Sequence, residues 1–296
     1  MSIQLDHQLR EQIPHTATGF PITYYHDELA ALPRWEGPAH WHSDFELATA
    51  VRQTLEYQVG QQRVTLEPGD SILVNGNVLH RVQQLCGTAP DPLPILVFSG
   101  AVVAPEPSTL YQRYIRPIAG CDKLPCILFR HRDPMNREIL ALIRDTVRRM
   151  QDPVPCYELA VQRNISRLFE ELYRRFDSLP QSEATRIQLR SRVRMQKMLT
   201  YICDHYAEPV TLADIAGAAS ISRSEADRCF RAYMGCSPVE ALIRYRLQTA
   251  RRMLGEKTGT LQQVSAACGF RSVNYFSRKF RQTYGCAPGR YAGLGK

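Results

Sequence analysis

The chain has 296 residues, 44% hydrophobic and 22% charged, which is long for a single core and typical of a two-domain globular protein. No apolar run approaches the ~20 residues needed to cross a bilayer, and the opening MSIQLDHQLREQIPH lacks the apolar segment of a secretory signal, so a cytoplasmic protein with no membrane partner is expected. Nine scattered cysteines with no C-x-x-C pair argue against a zinc ribbon or a disulfide framework and read as reduced, mostly buried thiols.

Charge is unevenly placed. Residues 183–296 hold 19 Lys+Arg against 8 Asp+Glu, whereas residues 1–182 hold 18 against 21. A basic, Arg-rich half suits a polyanion such as nucleic acid, the plain alternative being a solvated basic surface.

In chain order, the first ~100 residues read as short strands. HWHSDFELATAVRQTLEYQVGQQRVTLEPGDSILVNGNVLHRVQQL carries alternating apolar positions, with turn signals at Gly60, Pro68-Gly69-Asp70 and Asn75-Gly76-Asn77. PILVFSGAVV adds an apolar strand. The spacing predicts a small antiparallel barrel or sandwich within residues 1–134, entered through an N-terminal arm (1–25).

Inside it, His40-Trp41-His42-Ser43-Asp44-Phe45-Glu46 is an H-x-H-x3-E pattern, and His80 follows. On a strand His40 and His42 point to the same side. With Glu46 and His80 they resemble the metal-binding set of the cupin barrel, although the turn Asn75-Gly76-Asn77-Val78-Leu79-His80 is looser than the usual P-x-G-x-x-H. Three imidazoles and a carboxylate suit Fe, Mn, Ni or Zn. An organic ligand or a structural role is open on the same residues. Tyr24, Tyr25, Trp35, Trp41, Phe45 and Tyr57 lie in the same stretch and offer faces for a sugar, or core for the barrel.

The period then changes. MNREILALIRDTVRRM (135–150) sets Ile139, Leu142, Ile143 and Val147 on one helical face, and YELAVQRNISRLFEELYRRF (157–176) does so with Val161, Ile165, Leu168, Leu172 and Phe176. This hairpin, 135–178, covers the barrel, forms a dimer seam, or does both. Residues 179–188 read as a linker.

From 189 onward the chain reads as helical. Thr211…Asp214, Ser222…Glu225, Ser237…Glu240 and Thr260…Gln263 have capping-box spacing, and Pro238 sits at a first helical position. The stretch 238–254 predicts a rod of roughly 25 Å. LADIAGAASISRSEADRCFRAYMGCSP (212–238) matches LQQVSAACGFRSVNYFSRKFRQTYGCAP (261–288) with one inserted residue. Leu212/Leu261, Ile215/Val264 and Ala218/Ala267 predict a buried stripe, Ser220 or Gly269 takes the turn, and Ile221 or Phe270 plugs the core. Ala226 and Phe230, or Phe276 and Phe280, line the second helix's inner face.

A short helix, a tight turn and a Ser-capped second helix is the helix-turn-helix pattern, here twice, at 212–235 and 261–285. Arg223, Ser224, Asp227 and Arg228 face outward in the first unit, and Arg271, Val273, Asn274 and Arg278 in the second. Arg suits guanine, Asn adenine, Asp the cytosine amino group, and Val a thymine methyl. Arg231, Lys279 and Arg281 are placed for phosphates, and the caps Ser222 and Ser272 complete the candidate set. A duplicated bundle that binds protein is the alternative.

The segment resembles the AraC/XylS family of bacterial transcriptional regulators, through Arg246, Ala250, Arg252 and Leu254 of the connecting rod and VSAACGFRSVNYFSRKFRQTYGCAPGRYAG after it. The resemblance covers about 105 residues and implies two units entering successive major grooves of an operator about one helical turn (~34 Å) apart. It departs at Ala226, small where the family has a larger apolar residue, which predicts looser packing of the first unit, and at Asp227, a negative charge on the reading face.

The resemblance further implies a cupin-like sensor that binds a small effector without a resident cofactor. The expected fold is therefore α+β and multidomain: an antiparallel barrel with two packing helices, then an all-α tandem helix-turn-helix domain (189–296). The effector set is Tyr24, Trp35, His40, His42, Glu46, Tyr57 and His80, with a carbohydrate as the leading ligand. A homodimer on duplex DNA is expected, with RNA polymerase among the candidate partners. The rival from another class is a metal-dependent cupin enzyme tethered to DNA. A DNA-repair alkyl transferase would need a clustered four-Cys zinc site, which these dispersed cysteines do not supply.

Overall fold

A computed structural model of the chain describes residues 11, 13, 19–26, 37, 39–85, 92–179 and 186–293. The chain divides into two compact units, with the break between Leu189 and Arg190. Among the described residues no helix is long and apolar enough to cross a membrane.

The N-terminal unit is built on two antiparallel sheets. Strands β1 (Ile22–Tyr25), β2 (Phe45–Thr49), β5 (Ser71–Val74), β7 (Ile95–Phe98) and β8 (Cys126–Phe129) form one sheet in the order β1-β7-β2-β5-β8. Strands β3 (Leu55–Val59), β4 (Gln62–Leu66) and β6 (His80–Gln84) form the other, ordered β4-β3-β6. The turn signals fall where the strands reverse. Gly60 (φ +58°) begins the two-residue β3–β4 turn, and Gly69 (φ +92°) precedes β5. At the third turn a Cβ on Gly76 would lie 2.2 Å from the Ser43 carbonyl, so no side chain fits there.

Period-2 alternation assigns each residue of the larger sheet to one of two cores. After the short helix α1 (Arg116–Ala119) come α2 (Arg137–Gln151) and α3 (Tyr157–Arg174), and Ile22, Phe45, Leu47, Leu73, Leu96, Phe98, Ile127 and Phe129 share their core. Tyr25, Ala48, Ile72, Val74, Ile95 and Val97 face the smaller sheet, meeting Leu55, Tyr57, Val59 and Val82. Strands covered on both sides read as continuous apolar runs, as SILV and ILVF do. The hairpin at 135–178 thus shares a core with the sheet. Its stripe is rotated from the expected one: Ile139, Leu140, Ile143, Thr146 and Met150 are buried while Leu142 and Val147 are half-buried, because the helix is wedged between the sheet and α3. Phe176 lies beyond α3, in a 3₁₀ turn.

The C-terminal unit is helical, beginning within α4 (Arg186–His205) and continuing through α5 (Leu212–Ala218), α6 (Arg223–Met234), α7 (Pro238–Gly255), α8 (Leu261–Ala267), α9 (Val273–Tyr284) and α10 (Pro288–Gly293). Capping boxes form fully at Thr211/Asp214, Ser237/Glu240 and Thr260/Gln263. The fourth is half made. Ser222 accepts from the Glu225 amide at 3.2 Å, but the Glu225 carboxylate turns to Arg194 and Arg228. The repeated Gly-Cys-x-Pro ending has a local cause. Gly235 and Gly285 end α6 and α9 in the left-handed conformation, and Pro238 and Pro288 open the helices that follow.

The buried stripe of the short helices differs from expectation at its third position. Ala219 and Cys268 turn inward, whereas Ala218 is half-buried and Ala267 exposed, since the i+7 residue rather than i+6 returns to the core face. Ala226 does not loosen the first unit. It is fully buried beside Cys229 and Phe230, and α4 packs on α6 through Ser191–Cys229 and Arg194–Glu225, with Met195, Met198, Leu199 and Ile202 all buried. The second unit gathers Phe270, Phe276 and Phe280 onto Leu247, Ala250 and Leu254 of α7.

The two helix-turn-helix turns solve one backbone problem differently. Both place a residue at positive φ, Ser220 (+53°) and Gly269 (+75°). Left-handed strain on a side-chain-bearing residue is about 1–2 kcal/mol, more than the chain entropy Gly adds to the unfolded state. Ser220→Gly is therefore expected to stabilise the C-terminal unit by roughly 0.5–1 kcal/mol in urea denaturation. A loss of stability would mean that the serine hydroxyl makes a contact worth more than the strain.

Candidate nucleic-acid interface and ligand cluster

On α6, Arg223, Ser224 and Arg228 are exposed and Asp227 is half-buried. Two of its basic groups already have partners: Arg228 pairs with Glu225, and Arg231 Nε donates to Asp227 at 2.7 Å. The helix meets solvent partly neutralised. On α9, Ser272 caps through the Tyr275 amide, Arg271, Asn274, Arg278 and Arg281 are exposed, and Val273 and Lys279 are half-buried. Among the described residues none of Arg271, Arg278, Lys279 and Arg281 pairs with a carboxylate. Arg278 and Lys279 instead lie 5.4 and 5.9 Å from the Tyr275 ring. Tyr275 lies outside the expected contact residues. An aromatic at i−3 and i−4 of two cations was the available signal.

Arg246, part of the family pattern, points inward rather than to a ligand. Its guanidinium donates to the carbonyls of Tyr206 and Glu208, both at 2.7 Å, and ties the end of α4 to the rod α7. The Tyr206 carbonyl is also what Gly269 approaches: a Cβ there would lie 2.7 Å from it and 2.9 Å from that of Ala207.

In the N-terminal unit, His40, His42, Glu46 and His80 converge. One donor atom from each lies within 4.8 Å of all the others, and every side chain is buried. Backbone bonds between His40 and His80 (3.0 and 2.9 Å) zip the two segments together. Glu46 points between the sheets because Phe45 and Leu47 take the helix side. Its Oε2 lies 3.1, 3.7 and 3.9 Å from Nε2 of His80, His42 and His40, and its Oε1 accepts from the Tyr57 hydroxyl at 3.1 Å. Burial disfavours the Glu46 anion, but the His80 charge and hydrogen bond, with the nearby His42 and His40 rings, outweigh it and hold its carboxyl well below the usual range. Burial likewise opposes the His80 imidazolium, and Glu46 overrides it, so that pKa is raised.

Of the other expected effector residues, Tyr57 is fully buried core with its hydroxyl on Glu46. Tyr24 is not brought to the cluster. One residue of register puts it on the helix-covered face with its hydroxyl on His26, while Tyr25 faces inward. Phe45 also lies on the helix side, and Trp35 falls outside the described residues. Glu11 was missed. Its amide donates to the Trp41 carbonyl (2.9 Å), and its carboxylate Oε2 lies 3.6 Å from His40 Nε2. A lone Glu in a polar stretch carries no local pattern, so only the through-space approach reveals it.

The donor set fits a metal ion. Nδ1 of His42 and of His80 each face a backbone carbonyl, Asp44 at 2.9 Å and Val78 at 2.8 Å, which can only accept. The proton therefore sits on Nδ1, and Nε2 offers its lone pair to the centre once the ring is neutral. His42 Nε2 is buried with no hydrogen-bond partner. Three imidazole nitrogens and a carboxylate oxygen this close suit one divalent transition metal.

A helix-turn-helix domain model matches residues 215–293, and a cupin domain model matches residues 30–90. The chain is similar along nearly its whole length to the uncharacterized HTH-type transcriptional regulator YdeC of Bacillus subtilis (strain 168), 25% identical over 287 residues and covering 97% of each chain. It is 37% identical over 81 residues to a putative AraC-like transcription regulator of Streptomyces lividans, covering 27% of each. Among solved structures, apo ToxT from Vibrio cholerae strain SCE256 aligns at 14% identity with a TM-score of 0.48, over 93% of this chain and 97% of that one.

Proposed function

We infer that this chain, a transcriptional regulator of the AraC family that carries a cupin domain, reads duplex DNA through α6 and α9 and tunes that reading by a ligand held in its N-terminal unit. The observation that carries the DNA reading is the pair of Ser-capped helices with outward Arg, Ser and Asn, fixed to one 18-residue rod, α7, about 27 Å long. Selection from random duplexes with the purified full-length protein is expected to enrich two short motifs about one helical turn apart. Enrichment of no motif, or of one unaltered by Arg271→Ala, removes the assignment. A homodimer through the α2–α3 hairpin belongs to the same proposal. Its support is the outward apolar side chains Val154 (54% exposed) and Leu159 (67%) at the start of a helix whose other face is core.

For the ligand, the geometry favours a divalent cation at His40, His42, Glu46 and His80 over a sugar seated among them. Donors this close leave room for one ion, and two of the aromatics expected to stack a sugar lie on the other side of the sheet. A bound metal would act as a Lewis acid for an oxygen-bearing effector, and the carbohydrate expected from the sequence is one such ligand. His40→Ala and Glu46→Gln are expected to keep basal DNA binding and lose the response to metal or sugar in a fluorescence-anisotropy titration. A normal response from both variants would falsify the cluster as the sensing site. Metal uptake accompanied by turnover of a small organic substrate would instead favour the tethered enzyme.

A further inference from the structure

We propose that Glu11 is the second carboxylate of this cation site, standing beside His40 to balance the charge of the bound ion; this rests on the metal reading above. Glu11 is 4% exposed and its carboxylate accepts a hydrogen bond from Tyr25; Oε2 stands 3.6 Å from His40 Nε2, while Oε1 is buried with no hydrogen-bond partner. An orphaned, desolvated carboxylate oxygen beside an imidazole cluster is costly without a counter-charge. The charge count supplies the reason for its place. Three neutral imidazoles with Glu46 alone leave a divalent ion one positive charge in excess at a site whose four donors are all buried. Glu11 brings the site to neutrality. Its backbone is aligned for this by the bond from its amide to the carbonyl of Trp41, which lies between the first two histidines.

The test uses full-length protein and Co²⁺, whose visible d–d absorption reports the ligand set. Wild type is expected to take up one equivalent. Glu11→Gln, which keeps the shape, is expected to bind about 10–100-fold more weakly with an altered spectrum, and Glu11→Asp to recover part of the loss. In the loaded wild type, hydrogen exchange of the Glu11 amide is expected to slow. Circular-dichroism melts establish that each variant is folded. Equal or tighter Co²⁺ binding by folded Glu11→Gln overturns the role of Glu11 while leaving the metal reading in place. Undiminished binding by His42→Ala, or no uptake by wild type, overturns the metal reading and this inference with it.

Discussion

Gly269→Ala is expected to destabilise the C-terminal unit by about 2–4 kcal/mol, the left-handed backbone contributing ~1–2 and the forced displacement of two carbonyls the remainder. The residue sits at φ +75°, and the added methyl would meet the Tyr206 and Ala207 carbonyls inside any real Cβ contact distance. Neither carbonyl can yield cheaply. The Tyr206 oxygen is held by Arg246 Nε at 2.7 Å, so moving it breaks the tie between α4 and α7. Urea denaturation of the full-length chain gives the stability, and DNA titration should show that α9 loses its footing at the same time. A shift below about 0.5 kcal/mol, the range of an ordinary surface change, would show that the turn tolerates a side chain and that its geometry has been misread.

Arg278→Ala is expected to weaken operator binding by about 1–3 kcal/mol and to relax preference at one base position. Arg228→Ala, its counterpart on α6, should cost less than tenfold. The physical difference is prior engagement. Arg228 must give up Glu225 before it meets DNA, and Arg231 must give up Asp227, whereas Arg278 leaves only the face of Tyr275. Exposed ion pairs are individually weak, about 0–1 kcal/mol, but two on one short helix also remove net positive charge from the approaching surface. Equilibrium titrations at two salt concentrations separate the terms. Lys279→Ala should lower the salt slope without changing sequence preference, and Arg278→Ala should change preference. If Arg228→Ala proves the costlier of the two arginine variants, the first unit is the main reader.

The same contrast separates what was legible in the residues from what was not. Cap spacings, Gly-Cys-x-Pro endings and the second turn's glycine announce helices because they act within about four residues of chain, and the structure shows each at its place. The third stripe position falls one residue later than the sequence pattern suggests, since i+7 rather than i+6 returns to the core face of the short helix. Ser222 and Glu225 have the spacing of a capping box, yet Glu225 serves Arg194 from a helix about thirty residues earlier.

In the N-terminal unit the pattern H-x-H-x3-E with a later His announced four converging side chains, and those four meet. Which aromatics join them was a matter of sheet register: Tyr24 and Tyr25 are adjacent in sequence and face different cores. Glu11 reaches His40 across nearly thirty residues of chain, a distance no short pattern spans. By itself, then, the sequence determined the helices, their ends, the doubled helix-turn-helix and the imidazole set, because each is fixed by local hydrogen bonding and periodicity. Only the tertiary structure decided which charges on α6 are already spent, which carbonyls crowd Gly269 and which distant carboxylate stands beside His40. Those depend on packing and register, where segments far apart in the chain share one space.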